Sequence, residues 1–286
     1  MKKLRLRRNV GISGKDIFGR QAHLTFSPIE KPGWWWQYHQ DKEPLLITPD
    51  LLRAAWRRMR LVHIEPRNGK PYILECCEHI LSLRWLGLDG IVLHSEENWP
   101  PYFGSPFGYW RKLYNRCIDG TEDFSWVTPR SPVTGVYYRE SERWTRITPQ
   151  DTPLLSARII INYPGLGQYA FDWHTDTFDP SWLSAPTQGW PAWLRYPLSM
   201  LPKSVWPHCN QIIWPGKQMP AETLHFFALH RLGDLLGAWA FADPTSLVAA
   251  RVVSHQSVHW ADIAAIQRLK DDLIPVDPSK NFMTPE

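Results

Sequence analysis

No apolar run in this chain approaches the roughly 18 to 20 residues that a bilayer-crossing helix requires. The basic opening MKKLRLRRNV is followed by Gly11, Ser13 and Lys15 rather than by the apolar core of a secretory signal, so a cytoplasmic location is expected. A disulfide framework is missing too. The four cysteines (Cys76, Cys77, Cys117, Cys209) include an adjacent pair and no Cys-x-x-Cys spacing, and they read as free thiols. Excess charge of one sign is small. A formal net charge of +4 falls short of the basic stripe that nucleic-acid binders use, and the N-terminal basic run alternates with Leu4 and Leu6 as a solvated strand would. No nucleic-acid partner is expected, and no residue-level repeat is visible.

What is present is a globular composition, 43% apolar and 21% charged over 286 residues, long enough for one large domain or two of ordinary size. The unusual figure is 17 tryptophans, clustered as GWWWQY at 33–38 and again between Trp182 and Trp214. Most such rings are core and loop anchors. Some can line an apolar channel or lie transiently against a membrane surface, because tryptophan joins a large apolar ring to a polar N–H.

Along the chain, residues 1–29 read as two strands joined by a turn, with QAHLTFSP as the second, after which Pro32, Gly33 and the tryptophans break the pattern. ITPDLLRAAWRRM carries an N-cap signal at Thr48 and Pro49 and predicts a helix. YILECCEHILSLRWLGL has helical spacing, ends near Gly87 and passes into a buried strand, DGIVLHS. From Tyr114 to Pro132 the text is polar and turn-rich, which predicts a boundary between a domain at 1–118 and another at 130–286. GVYYRES, RWTRI and ARIIINY read as strands. A Trp/Pro-rich insert follows near 187–216, then a helix containing HFFALHRLGDLLGAWAF, then a last helix from about Trp260 to Leu273.

The helix HFFALHRLGDLLGAWAF is apolar nearly throughout, yet it carries His230 and Asp234. At 3.6 residues per turn these side chains lie about 40° apart on one face, so both can reach a single metal ion. A surface pair or a satisfied core hydrogen bond is the commoner explanation of that spacing, and a third ligand is needed. Glu78 and His79, adjacent on the earlier helix, point about 100° apart. One can therefore bind a metal while the other reaches water beside it, as hydrolytic zinc sites require. His255 and His259 form a rival His-x-x-x-His pair, as good by spacing alone.

CEHILSLRWLGLDG resembles the helix and following turn of the UDP-3-O-acyl-N-acetylglucosamine deacetylase family, the zinc enzymes of lipid A synthesis, and HRLGDLLG resembles that family's second metal-binding helix. GRQAHLTFSP, FGSPFGYW, APTQGW and SHQSVHWADIAAI keep the family's order across nearly the whole chain. The resemblance implies an α+β fold of two similar domains, each a small mixed sheet with two helices, the helices sandwiched between the sheets. It implies Zn2+ bound by His79, His230 and Asp234, Glu78 as general base, His255 as the catalytic cation, Thr187 on the oxyanion, and Arg231, Gln188 and Trp190 against substrate. His259 is then structural or exposed. The implied activity is hydrolysis of an N-acetyl group from an acylated amino sugar by a monomer, with the 187–216 insert as a passage for the acyl chain.

The departures lie on the substrate side. Ile17-Phe18-Gly19 replaces a histidine-containing turn, Gln188 replaces an aromatic, and Ala238 replaces the aspartate that orients the catalytic histidine, a role for which Asp243 is the nearest substitute. A related deacetylase with another N-acyl substrate and a non-catalytic metal-retaining binding protein are the alternatives.

Overall fold

The computed structural model describes residues 1–16, 19–39, 41–54, 62–64, 73–75, 77–137, 140–163, 167–176, 180–185, 187–191, 211–214 and 221–277. It is an α+β fold built on two five-stranded sheets of the same topology. In the first, the strands run in the order Val10–Lys15, Gln21–Pro28, Ile91–Ser95, Trp34–Tyr38, Leu45–Leu46. In the second the order is Val133–Tyr137, Glu140–Pro149, Ala250–His255, Leu155–Tyr163, Gly167–His174. Successive neighbours are antiparallel, antiparallel, parallel and antiparallel in both.

Each crossover into the central strand carries a helix, and each central strand leads to another. Helix α1 (Glu78–Leu81) precedes the first central strand and α2 (Phe107–Leu113) follows it; α3 (Ala221–Trp239) and α4 (His259–Leu269) stand in the matching places of the second half. The repeat lies in topology and not in residues, because the same apolar pattern can be met by different side chains.

The α3 helix is apolar on nearly every face because it is enclosed. It packs against α1, α4 and the strands Leu155–Tyr163 and Gly167–His174, and Leu229, Leu232, Leu235, Leu236, Ala238 and Trp239 are all buried. The α1 segment continues as a 3-10 turn, Ser82–Leu86, and stops at Gly87, whose φ of +99° supplies the left-handed cap. Three contacts lock this segment to α3. Trp85 Nε1 donates to the Leu236 carbonyl at 2.9 Å. The buried Arg84 guanidinium donates to the carbonyls of Ala240, Asp243 and Ser246 just past the end of α3, satisfying acceptors a helix terminus leaves open. At Gly237 the chains come closest: a Cβ there would stand 2.1 Å from the Glu78 carbonyl oxygen.

Several sequence expectations need correction. Three strands, not two, precede residue 29, since Lys2–Leu6 forms its own ladder with Cys117–Asp123. GWWWQY does not break the sheet. Trp34–Tyr38 is a strand beside Ile91–Ser95, with Trp34 and Trp36 buried and their N–H groups donated to the Leu88 carbonyl and Ser95 Oγ. The helix expected from Thr48 is one 3-10 turn, Pro49–Leu51, followed by the strand Leu52–Ala54; Gln267 of α4 donates to the Leu52 carbonyl, a tertiary contact that outweighs local propensity. Residues 55–60 lie outside the described residues.

The segment from Tyr114 to Pro132 is also ordered. Cys117–Asp123 pairs with the N-terminal strand, while Trp126–Pro129 pairs with Leu247–Val248 and Leu273–Pro275. The last helix ends at Leu269, and Leu273–Pro275 is that pairing strand. Cys77 and Cys117 are free thiols; Cys76 and Cys209 lie outside the described residues. No helix among the described residues is long and apolar enough to cross a membrane.

The close approach at Gly237 gives a direct test. Gly237→Ala is expected to destabilise the fold by about 1–3 kcal/mol, the usual cost of overpacking, and to weaken metal binding by displacing Glu78 and His79. Denaturant unfolding and metal titration of this variant are the measurements; values equal to the parent's would contradict the contact.

Candidate metal centre

Glu78 and His79 open α1 and are both buried, each 2% exposed. Because α1 lies across α3 at Gly237, they meet the face of α3 that carries His230 and Asp234. The Asp234 carboxylate is the hub. His230 Nε2 lies 3.5 Å from Oδ2, and His79 Nε2 lies 3.8 Å from Oδ1. His259 Nε2, from the first turn of α4, lies 3.8 Å from Oδ2. Ligand atoms of His79, His230 and Asp234 lie within 4.8 Å of one another, and so do those of Glu78, Asp234 and His259. Tetrahedral ligands about 2.0–2.1 Å from a metal stand about 3.3 Å apart, so either set could close around an ion by a contraction of at most about 1.5 Å.

The protonation of the cluster suits a cation. Burial, with His230 and His259 adding to it against the opposing pull of Asp234, lowers the His79 pKa to about 3. His79 is therefore neutral near pH 7, with a lone pair to give. Neither of its buried ring nitrogens has a hydrogen-bond partner among the described residues, nor has His259 Nδ1. A buried unsatisfied polar atom costs about 1–3 kcal/mol, which a bound ion would offset. For Asp234, burial pushes the carboxyl up, but His230, His259, His79 and Arg231 together outweigh it and hold the pKa below the ordinary value. This buried His/Asp/Glu cluster can hold a metal ion.

The structure separates the two histidines that spacing could not. His255 ends a strand, its ring stacked on Trp144 at 5.2 Å and its Nδ1 bonded to the Glu142 carbonyl at 2.7 Å. Gln256, with φ +46°, turns the chain, and α4 begins at His259. The two residues do not share a helix, and it is His259, buried and beside Asp234, that reaches the cluster. The structure thus places His259 beside the cluster and His255 against Trp144 and Glu142, and His259 is buried, not exposed.

Asp243 does not act on His259; the acids that favour its charge are Asp234 and Asp262. Asp243 Oδ1 is taken up by the backbone N–H groups of Thr245 and Ser246 in a local turn. Asp262, one turn along α4 from His259 and fully buried, accepts from Thr145 Oγ1 at 2.6 Å, Ser257 Oγ at 3.1 Å and Arg231 Nη2. Burial lowers the His259 pKa, with Arg231 and His230 acting in the same direction; Asp234 and Asp262 oppose them. Arg231 is mostly buried and bound to Asp262, in place of the substrate-facing position the resemblance implies.

The sequence carried a signal for this network. His259 and Asp262 are three apart in HWADI and so share a helix face, by the same reasoning as His230 and Asp234. Tyr102, whose ring stacks on His79 at 5.8 Å, carries no comparable signal. Thr187, Gln188 and Trp190 lie in the strand Thr187–Pro191, which pairs with Gln211–Trp214; their side chains, and residues 192–210 of the insert, lie outside the described residues. No known protein-family model matches the chain, and no curated protein sequence matches it.

Two outcomes follow. His79→Ala, His230→Ala and Asp234→Ala should each abolish tight binding of a divalent metal, whereas Glu78→Ala and His259→Ala should retain it; calorimetric titration reads this, and retention by Asp234→Ala would overturn the ligand set. The metal-free protein should also be acid-labile. Between about pH 3 and 6.5 the unfolded chain protonates His79 and the folded chain does not, so stability falls as pH drops through that window. Below 3.8 the depressed Asp234 adds a loss of the same sign. The effect is of the order of a few kcal/mol, and a pH-independent unfolding midpoint would contradict it.

Proposed function

We propose that this protein is a zinc-dependent amide hydrolase that removes an N-acetyl group from an acylated amino sugar, a substrate of the lipid A precursor type, in the cytoplasm. The observation that carries the reading is a neutral buried histidine, a second histidine and a carboxylate gathered at one point, with a further carboxylate, Glu78, and a further histidine, His259, against that same Asp234. A structural zinc site closes its coordination with four protein ligands. Here the groups beyond the three ligands are an acid–base pair.

When bound by His79, His230 and Asp234, zinc supplies a Lewis acid that polarises an amide carbonyl and makes water nucleophilic near neutral pH. Glu78 takes the proton from the attacking water. His259 faces the developing negative charge and passes a proton to the departing amine, Asp234 and Asp262 favouring its charged form against the burial that lowers its pKa. Thr187 is the expected further donor to the oxyanion, and the 187–216 insert the expected site of the acyl chain. The engagement of Arg231 by Asp262 favours a second reading of the substrate, a related N-acyl amide whose head group lacks the phosphate such a cation would bind.

Acetate release by the zinc-loaded protein from a panel of acyl amides, with and without a nucleotide head group and a long 3-O-acyl chain, tests the proposal. Turnover of the acylated nucleotide sugar supports the first reading, turnover of other amides alone the second. Metal binding without turnover of any would leave a binding protein. Glu78→Gln and His259→Ala should each lower kcat by roughly 10²–10⁴-fold, the usual range for a positioned acid or base, while His255→Ala stays close to the parent. The reverse ranking of the two histidines would return the role to His255.

A further inference from the structure

Helix α2 has the wrong outer face for water. It buries Tyr109 and Leu113, and Gly108 lies so close to Phe103 that a Cβ there would stand 2.3 Å from the phenylalanine Cβ. The opposite stripe, at i, i+3, i+4 and i+7, is Phe107, Trp110, Arg111 and Tyr114. Phe107 is 45% exposed and Tyr114 60%, and the Trp110 and Tyr114 rings touch at 5.4 Å between centroids. The chain then enters the strand Cys117–Asp123, where Ile118 is 40% exposed opposite Arg5. Three of the six exposed large apolar side chains among the described residues thus fall within residues 107–118.

The rest of that face is cationic. Arg111, Lys112 and Arg116 are exposed on α2 and just beyond it. The Arg7 N–H donates to the Arg116 carbonyl at 2.9 Å, which brings exposed Arg7 and Arg8 alongside. None of these five cations forms an ion pair with another described residue. Exposed Asp119 is the acid at the near end of the strand; Glu122 and Asp123 lie toward its far end, where Lys3 and the N-terminus meet them.

We propose that this face docks on an anionic bilayer surface. Aromatic rings settle at the headgroup boundary while arginine and lysine meet lipid phosphates, and the two together bind where either alone is weak. Of the tryptophans singled out in the sequence, Trp34 and Trp36 are core; the docking rings here belong to α2 and the turn after it.

Co-sedimentation of the full chain with phosphatidylcholine vesicles, with and without phosphatidylglycerol, tests this without any reading of activity. Binding should require phosphatidylglycerol and weaken as salt shortens the Debye length. The paired change Arg111→Glu with Lys112→Glu should lower partitioning more than tenfold, since each cation contributes about fivefold at such a surface. Phe107→Ser with Tyr114→Ser should lower it independently and leave a residue of binding that salt removes entirely. All these side chains are exposed, so melting temperatures matching the parent's are expected. Failure of the parent to bind phosphatidylglycerol vesicles, indifference of binding to both pairs, or tighter binding to an RNA oligonucleotide than to the vesicles would overturn the proposal.

Discussion

The metal centre depends on one backbone approach, the crossing of α1 over α3 at Gly237. The two metal-binding segments lie about 150 residues apart, and each alone offers only part of a ligand set. Contact between the Glu78 carbonyl and a helix position without a side chain lets Glu78 and His79 reach the α3 face that bears Asp234. Trp85 and Arg84 then fix the crossing from the other end, one through the Leu236 carbonyl and the other through carbonyls past Trp239. Arg84 is fully buried between Phe124 and Phe241. Removing such a charge from water is costly, and the cost is offset by carbonyl acceptors and aromatic faces together.

The cluster that results is out of balance by itself. Four imidazole and carboxylate groups surround Asp234 in a buried space, and His79 has no hydrogen-bond partner among the described residues. Asp234 stays ionised because His230, His259, His79 and Arg231 all favour its charge. A divalent cation would meet both needs, taking the free lone pair of His79 and the charge of Asp234, and would account for the polar pair in an otherwise apolar helix.

Much of this was legible in the sequence, for physical reasons that differ by element. The His230/Asp234 helix showed itself through period and length, and the central strand Ile91–Ser95 through its continuous apolar run. The adjacency of Glu78 and His79 to that helix was not legible from spacing; it came only with the resemblance, because a contact across so many residues leaves no local trace. The helix expected after Thr48 failed because Leu52 and Ala54 alternate into the core and the Leu52 carbonyl is claimed by α4. The polar segment 114–132 showed no apolar period because Cys117–Asp123 is half-buried or exposed along its whole length, and Trp126–Pro129, although the middle strand of its sheet, is only four residues long. Spacing could not separate His255 from His259, because a spacing of four has helical meaning only within one helix, and the turn at Gln256 falls between them.

The central claim is that a single metal ion is shared by His79, His230 and Asp234. The most direct measurement is anomalous diffraction at the zinc edge from crystals of the zinc-loaded protein. The account predicts one strong peak within bonding distance of His79 Nε2, His230 Nε2 and an Asp234 oxygen, with Glu78 and His259 adjacent but not ligating. A peak bound by Glu78 and His259, or none at Asp234, would contradict it.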